Sequence, residues 1–252
     1  MPIIGVINEK GGVGKTTTVI NLAAALAKQH KVLLVDLDPQ ANASSGLGLI
    51  LPENTTYEVL KGEISARQAI VDSDIKNLKI LPASAELAGA NVDIKSTAEN
   101  MRILSKALIA VRPQFDFIIL DSPPSKGALT INAMVAADKL LIPLQTEYYA
   151  LEGIASVVDT IKRVRASLNP KLDIIGILLT MFDVRTNLSQ QVEENVREHF
   201  GDMVFRTIIP RSIRLAEAPS YSQSIFEFAP SSSGALAYKQ LAKEVIKRAR
   251  EA

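Results

Sequence analysis

Eleven consecutive residues, Asn8-Glu9-Lys10-Gly11-Gly12-Val13-Gly14-Lys15-Thr16-Thr17-Thr18, combine three glycines, two lysines and three threonine hydroxyls. The segment closes an apolar run, Ile3–Asn8, and opens a stretch with helical periodicity, Thr16–Gln29. That setting suits a polyanion. Glycines let backbone N–H groups turn toward one point, and a helix N-terminus adds unpaired N–H groups and the positive end of its dipole. Lys15 supplies a point charge for β- and γ-phosphate oxygens, and the Thr16 hydroxyl suits Mg²⁺. Lys10 to Thr17 is therefore expected to hold the phosphates of ATP, with backbone contributions from Gly11, Gly12, Val13, Gly14 and Thr17. The common spacing places a further glycine where this chain has Glu9, and a second lysine, Lys10, begins the glycine run instead.

Two more apolar runs end in acids. Val32–Asp36 continues into Leu37-Asp38-Pro39-Gln40, and Asp36 and Asp38, two apart in extended backbone, face the same side. Phe115–Asp121 is followed by Ser122-Pro123-Pro124. Mg²⁺ keeps much of its hydration, so Asp121 is expected to hold it through water, with Asp36 in an outer-shell role. The two prolines stiffen a loop placed to report whether the γ-phosphate is present. Acids that merely solvate a strand end are the simpler reading of Asp36 and Asp38; the agreement of loop, strand, helix and downstream acids weighs against it.

Such residues need a scaffold that brings strand ends together. Strands are expected at Ile3–Asn8, Val32–Asp36, Leu78–Leu81, Phe115–Asp121, Lys139–Pro143, Leu172–Thr180 and Val204–Ile209. Helices are expected at Thr16–Gln29, Ala85–Lys95, Ala98–Val111, Leu129–Ala137, Leu151–Leu168, Leu188–Phe200 and Gly234–Arg250. Runs such as Phe117-Ile118-Ile119-Leu120 are apolar on both faces, as a parallel sheet between two helix layers requires. The expectation is an α/β fold of one domain, residues 1–252, with a doubly wound, mostly parallel sheet flanked by helices. Ligands of such sheets bind beyond the carboxyl ends of the strands.

The bulk composition narrows the chemistry. The chain has 252 residues, 47% of them apolar, and a formal net charge of +1, so a polyanion must be met by a local patch. The lack of cysteine excludes disulfides, thiolate zinc sites, iron–sulfur clusters and cysteine nucleophiles, and fits a reducing cytoplasm. The opening residues read as neither a signal peptide nor a membrane span, so a cytoplasmic protein is expected.

Lys10-Gly11-Gly12-Val13-Gly14-Lys15-Thr16 resembles the deviant phosphate loop of the ParA/MinD class of P-loop ATPases. Further stretches resemble the chromosomal ParA, or Soj, branch of that class. They are Asp36 to Asn42, Asp121 to Ser125, Pro143 to Gly153, Thr180 to Leu188 and Ile209 to Ser220. The chain departs from the pattern at Glu9, where glutamine is usual, at Ser212, where asparagine is usual, and at Ser122, often cysteine. Glu9 would put an acid near the phosphates.

The resemblance implies a Mg²⁺-dependent ATPase that closes into a homodimer around ATP, with Lys10 reaching the phosphates of the other copy. A second cation there would offset charge that develops during transfer, as an arginine finger does. It implies that Asp38 orients the attacking water, and that Met181 and Pro210 flank the adenine. The implied cycle has the ATP-bound dimer, associated with the nucleoid, bind double-stranded DNA without sequence preference through Arg185 and Arg214. A ParB-like partner then stimulates hydrolysis and release. From Met203 to Ala252 the chain has eight basic and four acidic residues, which adds Arg211 and Lys247 as candidates. Solvated helix faces explain Lys247 and Arg248 equally well. The resemblance implies the short form, with no extra DNA-binding domain ahead of the phosphate loop. A MinD-like membrane-cycling regulator is the alternative; the small apolar face of Gly234–Arg250 reads instead as a helix docked on the core.

Overall fold

The computed structural model describes residues 2–50, 52–93, 97–148 and 150–250. Lys95, at the end of an expected helix, Tyr149 within one of the resembling stretches, and Glu251 in the C-terminal charge count lie outside the described residues.

Among the described residues, seven strands form one sheet: β1 Ile3–Val6, β2 Val32–Asp36, β3 Val71–Asp72, β4 Leu78–Leu81, β5 Phe117–Asp121, β6 Lys139–Gln145 and β7 Asp173–Thr180. Their order is β3-β4-β2-β5-β1-β6-β7, parallel throughout except for the two-residue β3, which runs antiparallel to β4. The helices are α1 Lys15–Ala27, α2 Asn42–Ser45, α3 Thr56–Lys61, α4 Ala66–Ala69, α5 Leu87–Asp93, α6 Ile103–Ile109, α7 Ala128–Ala136, α8 Ala150–Ser167, α9 Asn187–Phe200, α10 Ile213–Glu217, α11 Ile225–Phe228 and α12 Ser233–Arg250. This is the doubly wound, mostly parallel α/β architecture expected.

Two hydrophobic layers sandwich the sheet, and the alternation of side chains assigns each strand residue to one of them. Leu33 and Val35 of β2 pack with Ile118 and Leu120 of β5 against α6, α7 and α8. Val32 and Leu34 pack with Phe117 and Ile119 against α1 and α12. The register sets Val6, Asp121 and Asp36 side by side at the carboxyl edge, so β1, β5 and β2 finish level.

Two expectations are corrected. Val204–Ile209 is not a strand. Phe205 and Ile209 donate their amides to Ile177 and Leu179 of β7, but the amides of Arg206 and Thr207 turn to the Glu244 carboxylate of α12, at 2.9 and 3.1 Å. The ladder is diverted before it can extend. Ala98–Val111 is not one helix either, but a 3₁₀ turn, Asn100–Arg102, followed by α6. Asn132 of α7 donates its side-chain amide to the Asn100 carbonyl at 3.1 Å, and its side-chain oxygen accepts from the Leu104 amide at 3.2 Å. Those two groups would have bonded each other in a continuous helix.

Candidate functional site

β1 delivers the chain to the carboxyl edge, where Asn8 donates its side-chain amide to the Pro143 carbonyl at 2.7 Å and accepts from the Lys10 amide at 3.0 Å. These bonds fix the start of the loop. Gly12 and Gly14 then adopt φ of +77° and +87°, left-handed values that a side chain would strain. Gly14 caps α1 without a side-chain bond, and no acid stands in the first turn, so the helix N-terminus is left to an external anion. Thr180, at the end of β7, donates its hydroxyl to the Val13 carbonyl at 2.9 Å and grips the loop from the side.

Lys15 curls over the loop, its ammonium donating to the Lys10 carbonyl at 2.9 Å. Burial lowers its pKa, partly offset by the nearby Asp121 and Asp38 carboxylates. Lys10 points elsewhere, into a 2.6 Å ion pair with Glu147, ahead of α8. Glu9 also turns away from the glycines: its carboxylate accepts from the Thr160 hydroxyl of α8 at 2.8 Å and pairs with Lys126 at 3.3 Å.

The acids separate into two kinds. Asp36 is fully engaged, one oxygen accepting from the Asp38 amide at 3.0 Å and the other from the Ser44 amide and hydroxyl at 2.9 and 2.7 Å. Burial raises its pKa to about 6, with the Ser44 bonds pulling the other way. Asp38 accepts from the Gln40 amide at 3.0 Å and shapes the turn that leads to α2. Asp121 is equally buried, yet neither of its oxygens has a hydrogen-bond partner among the described residues. Its pKa stands well above the carboxylate range, first because of burial and then because of the Asp36 charge; the nearby Thr16 hydroxyl and Lys15 ammonium oppose this only in part.

An orphaned buried carboxylate beside a threonine hydroxyl at the mouth of a phosphate loop is a donor set that a hydrated divalent cation completes. No group of three or more His, Asp or Glu side chains surrounds the point among the described residues. That fits Mg²⁺, which takes few protein ligands besides water and phosphate oxygens.

Beside the loop opens a cavity of about 280 Å³, lined by Gly14, Met181, Pro210, Ile213, Leu215 and Tyr238 among others. Met181 and Pro210, expected about a base, are thus brought together with the phosphate loop. A bridge between Phe182 and Pro210 and the Arg211 amide bonded to the Phe182 carbonyl hold the two segments in contact. Met181 has φ of +52°, unusual for a long side chain. Ile213, Leu215 and Tyr238 escape linear reading because two separate helices, α10 and α12, bring them in; only the apolar periodicity of Gly234–Arg250 could have flagged Tyr238.

The basic candidates divide between the two ends of the sheet. Arg185, 81% exposed along its side chain, forms a bidentate pair with Asp183 that holds this carboxyl far below its usual range. Arg211 adds its charge to the same carboxylate. Arg214, 63% exposed, pairs with Glu217 at 3.1 Å and lies over the Phe228 ring. All three follow β7 or the cavity, at the phosphate-loop end. Lys247 does not join them. It lines a separate cavity of about 540 Å³ with Lys139 and Asp173, the first residues of β6 and β7, at the opposite edge. Arg248 is spent on the fold, stacking on Phe205 and bonding the Ile175, Met203 and Val204 carbonyls.

A family model described as an AAA domain matches residues 1–174. A chromosome-partitioning ATPase Soj from Thermus thermophilus is 50% identical, the match covering 99% of this chain and 97% of the relative. A chromosome partitioning protein ParA from Caulobacter vibrioides is 45% identical over 99% of this chain and 95% of the relative. Among solved structures, a cobyrinic acid a,c-diamide synthase from Mycobacterium smegmatis with bound ADP and magnesium superposes with a TM-score of 0.87 at 35% identity, covering 99% of this chain and 96% of that one.

Proposed function

The chain belongs to the ParA/Soj family of P-loop ATPases, and from that premise we propose the cycle by which this partitioning ATPase uses its site. Lys15, the glycine-loop amides and the N-terminus of α1 hold the phosphates of ATP. Asp121, through water, and the Thr16 hydroxyl hold Mg²⁺, which supplies positive charge to the β- and γ-phosphate oxygens. Asp38 orients the attacking water. Its placement near Lys15 supports that role. Asp36 serves as a brace rather than a ligand, since Ser44 and the Asp38 amide occupy its oxygens. Met181 and Pro210 flank the adenine in the cavity beside the loop.

Two copies close face to face around ATP, and Lys10 leaves Glu147 for the phosphates of the other copy. The closed dimer binds double-stranded DNA without sequence preference, through Arg185 and Arg214 with Arg211 adjoining, and so associates with the nucleoid. A ParB-like partner speeds hydrolysis, loss of the γ-phosphate loosens the loops after β2 and β5, and DNA is released. The observation that carries this reading is the shared address of its parts. The phosphate loop, the orphaned Asp121 and the exposed arginines all stand at one end of the sheet, so dimer closure over nucleotide doubles the basic surface there.

The test is DNA binding measured with ATP, ADP and a slowly hydrolysed ATP analogue across a salt series. Affinity present only with triphosphate, falling steeply with salt, is the expected result. Equal affinity in all three nucleotide states ends the proposal. No helix among the described residues is long and apolar enough to cross a membrane. In a parallel co-sedimentation with anionic vesicles and ATP the protein is expected to stay in the supernatant; ATP-dependent pelleting would favour the membrane-cycling alternative.

A further inference from the structure

Glu9 stands one residue before the second lysine, yet its side chain is only 13% exposed and faces away from the glycines. Three partners meet at its carboxylate. Thr160, in α8, donates its hydroxyl at 2.8 Å; Lys126, in the loop that follows Asp121, approaches to 3.3 Å; and Lys126 in turn donates to the Ser156 hydroxyl, one helical turn before Thr160, at 2.8 Å. Burial pushes the Glu9 carboxyl up, but bonding from Ser156, Thr160 and Lys126, with the Lys126 charge, brings it below the ordinary range, so it is an anion.

The cluster joins the root of the phosphate loop to the loop after β5. The two loops are close at their tips as well: a Cβ added at Gly11 would lie 3.9 Å from the Pro124 Cβ. At the other end of residues 122–127, Thr130 donates to the Ser125 carbonyl at 2.7 Å, which ties the segment to α7. The segment begins at Ser122, whose hydroxyl donates to the Val6 carbonyl at 2.9 Å, and just past the Ser125 tie Lys126 on Glu9 adds a charged attachment to the phosphate loop. A glutamine at position 9 would still accept from Thr160 but would offer Lys126 no negative charge.

We propose that Glu9 is a positioning residue for ATP hydrolysis: paired with Lys126, it fastens the loop carrying Pro123 and Pro124 against the phosphate loop, so that the segment leaving Asp121 is already aligned when the γ-phosphate arrives. Neither residue touches nucleotide in this scheme. The pair acts on the step after binding, and its effect falls on kcat and not on KM.

The inference rests on the role proposed for Asp121 and its loop, and a double-mutant cycle on the full chain separates the two. The turnover of Glu9→Gln, Lys126→Gln, the double variant and Lys126→Arg is measured at saturating ATP and Mg²⁺, beside Asp121→Asn. Each single glutamine variant is expected to lose roughly threefold in kcat with KM within about twofold, the size of effect carried by an ion pair whose lysine end is open to solvent. The double variant should lose no more than the worse single, because both remove one contact. Lys126→Arg, which keeps charge and reach, should stay near the parent. Parental kcat in either glutamine variant, losses that multiply in the double, or Lys126→Arg as slow as Lys126→Gln would each overturn the proposal. Should Asp121→Asn hydrolyse ATP normally, the underlying reading of the site falls instead.

Discussion

Asp121 is held in the position least favourable to its charge: fully buried, without a hydrogen-bond donor among the described residues, and level with Asp36 on the adjacent strand. Because the folded-state pKa is raised, the folded protein binds more protons than the unfolded chain between the ordinary carboxylate value and the raised one. Stability then falls as pH rises through that window, which for Asp36 extends to about pH 6. Removing the charge should therefore help the fold and harm the chemistry. Without nucleotide at pH 7, Asp121→Asn is expected to be more stable than the parent, because it removes a charge that burial and the Asp36 carboxylate disfavour, while losing Mg²⁺-dependent hydrolysis. Urea melts should show the gain shrinking as pH falls and the parent carboxyl takes up its proton. A variant no more stable than the parent at pH 7 would show that the carboxylate carries no such stress. Met181 holds a different strain. Glycine there should relieve the left-handed backbone by about 1 kcal/mol, visible in thermal melts, yet weaken ATP binding through the lost cavity wall.

Among elements, α12 shapes the nucleotide cavity from a distance. Its Glu244 takes the amides of Arg206 and Thr207 and the Thr207 hydroxyl, and so sets the course of the segment that delivers Ile209 and Pro210. Glu244→Ala should raise the KM for ATP severalfold with little change in kcat, and cost about 1–3 kcal/mol in urea melts because two amides lose their acceptor. An unchanged KM would mean the segment keeps its course unaided. The same carboxylate marks a boundary of sequence reading. Val204–Ile209 has the composition of a strand, and nothing local reveals that an acid 38 residues later will take its hydrogen bonds. β2 was legible to the residue because burial on both faces writes itself as an apolar run, and β4 was legible although the exposed Lys79 interrupts its apolar residues. The short helices α2, α3 and α4 were not, being too brief for any period to register. At the site, the phosphate loop and the acids at strand ends are linear signals. The cavity walls are not, since Ile213, Leu215 and Tyr238 converge only in the folded chain.

At the scale of the whole molecule the two edges of the sheet have different characters. Arg185, Arg211 and Arg214 lie at the carboxyl edge with the phosphate loop, whereas Lys247 lies at the amino edge beside Lys139 and Asp173. Arg185→Glu should dimerise with ATP yet lose DNA affinity by about tenfold or more at moderate salt and flatten the salt slope, whereas Lys247→Glu should change neither much. Gel-shift titrations at two salt concentrations decide between them; DNA affinity lost equally in both variants would mean the surface extends around the molecule. The rims of the sheet bear on assembly in another way. One rim is β3, two residues long and reversed in direction, and along the other the stretch after α9 fills part of the backbone of β7. Blunted borders of this kind resist the docking of a neighbour's strand. Fibres grown by strand-to-strand stitching are therefore disfavoured in this fold, which leaves loops and helices as the surfaces open to a neighbouring copy.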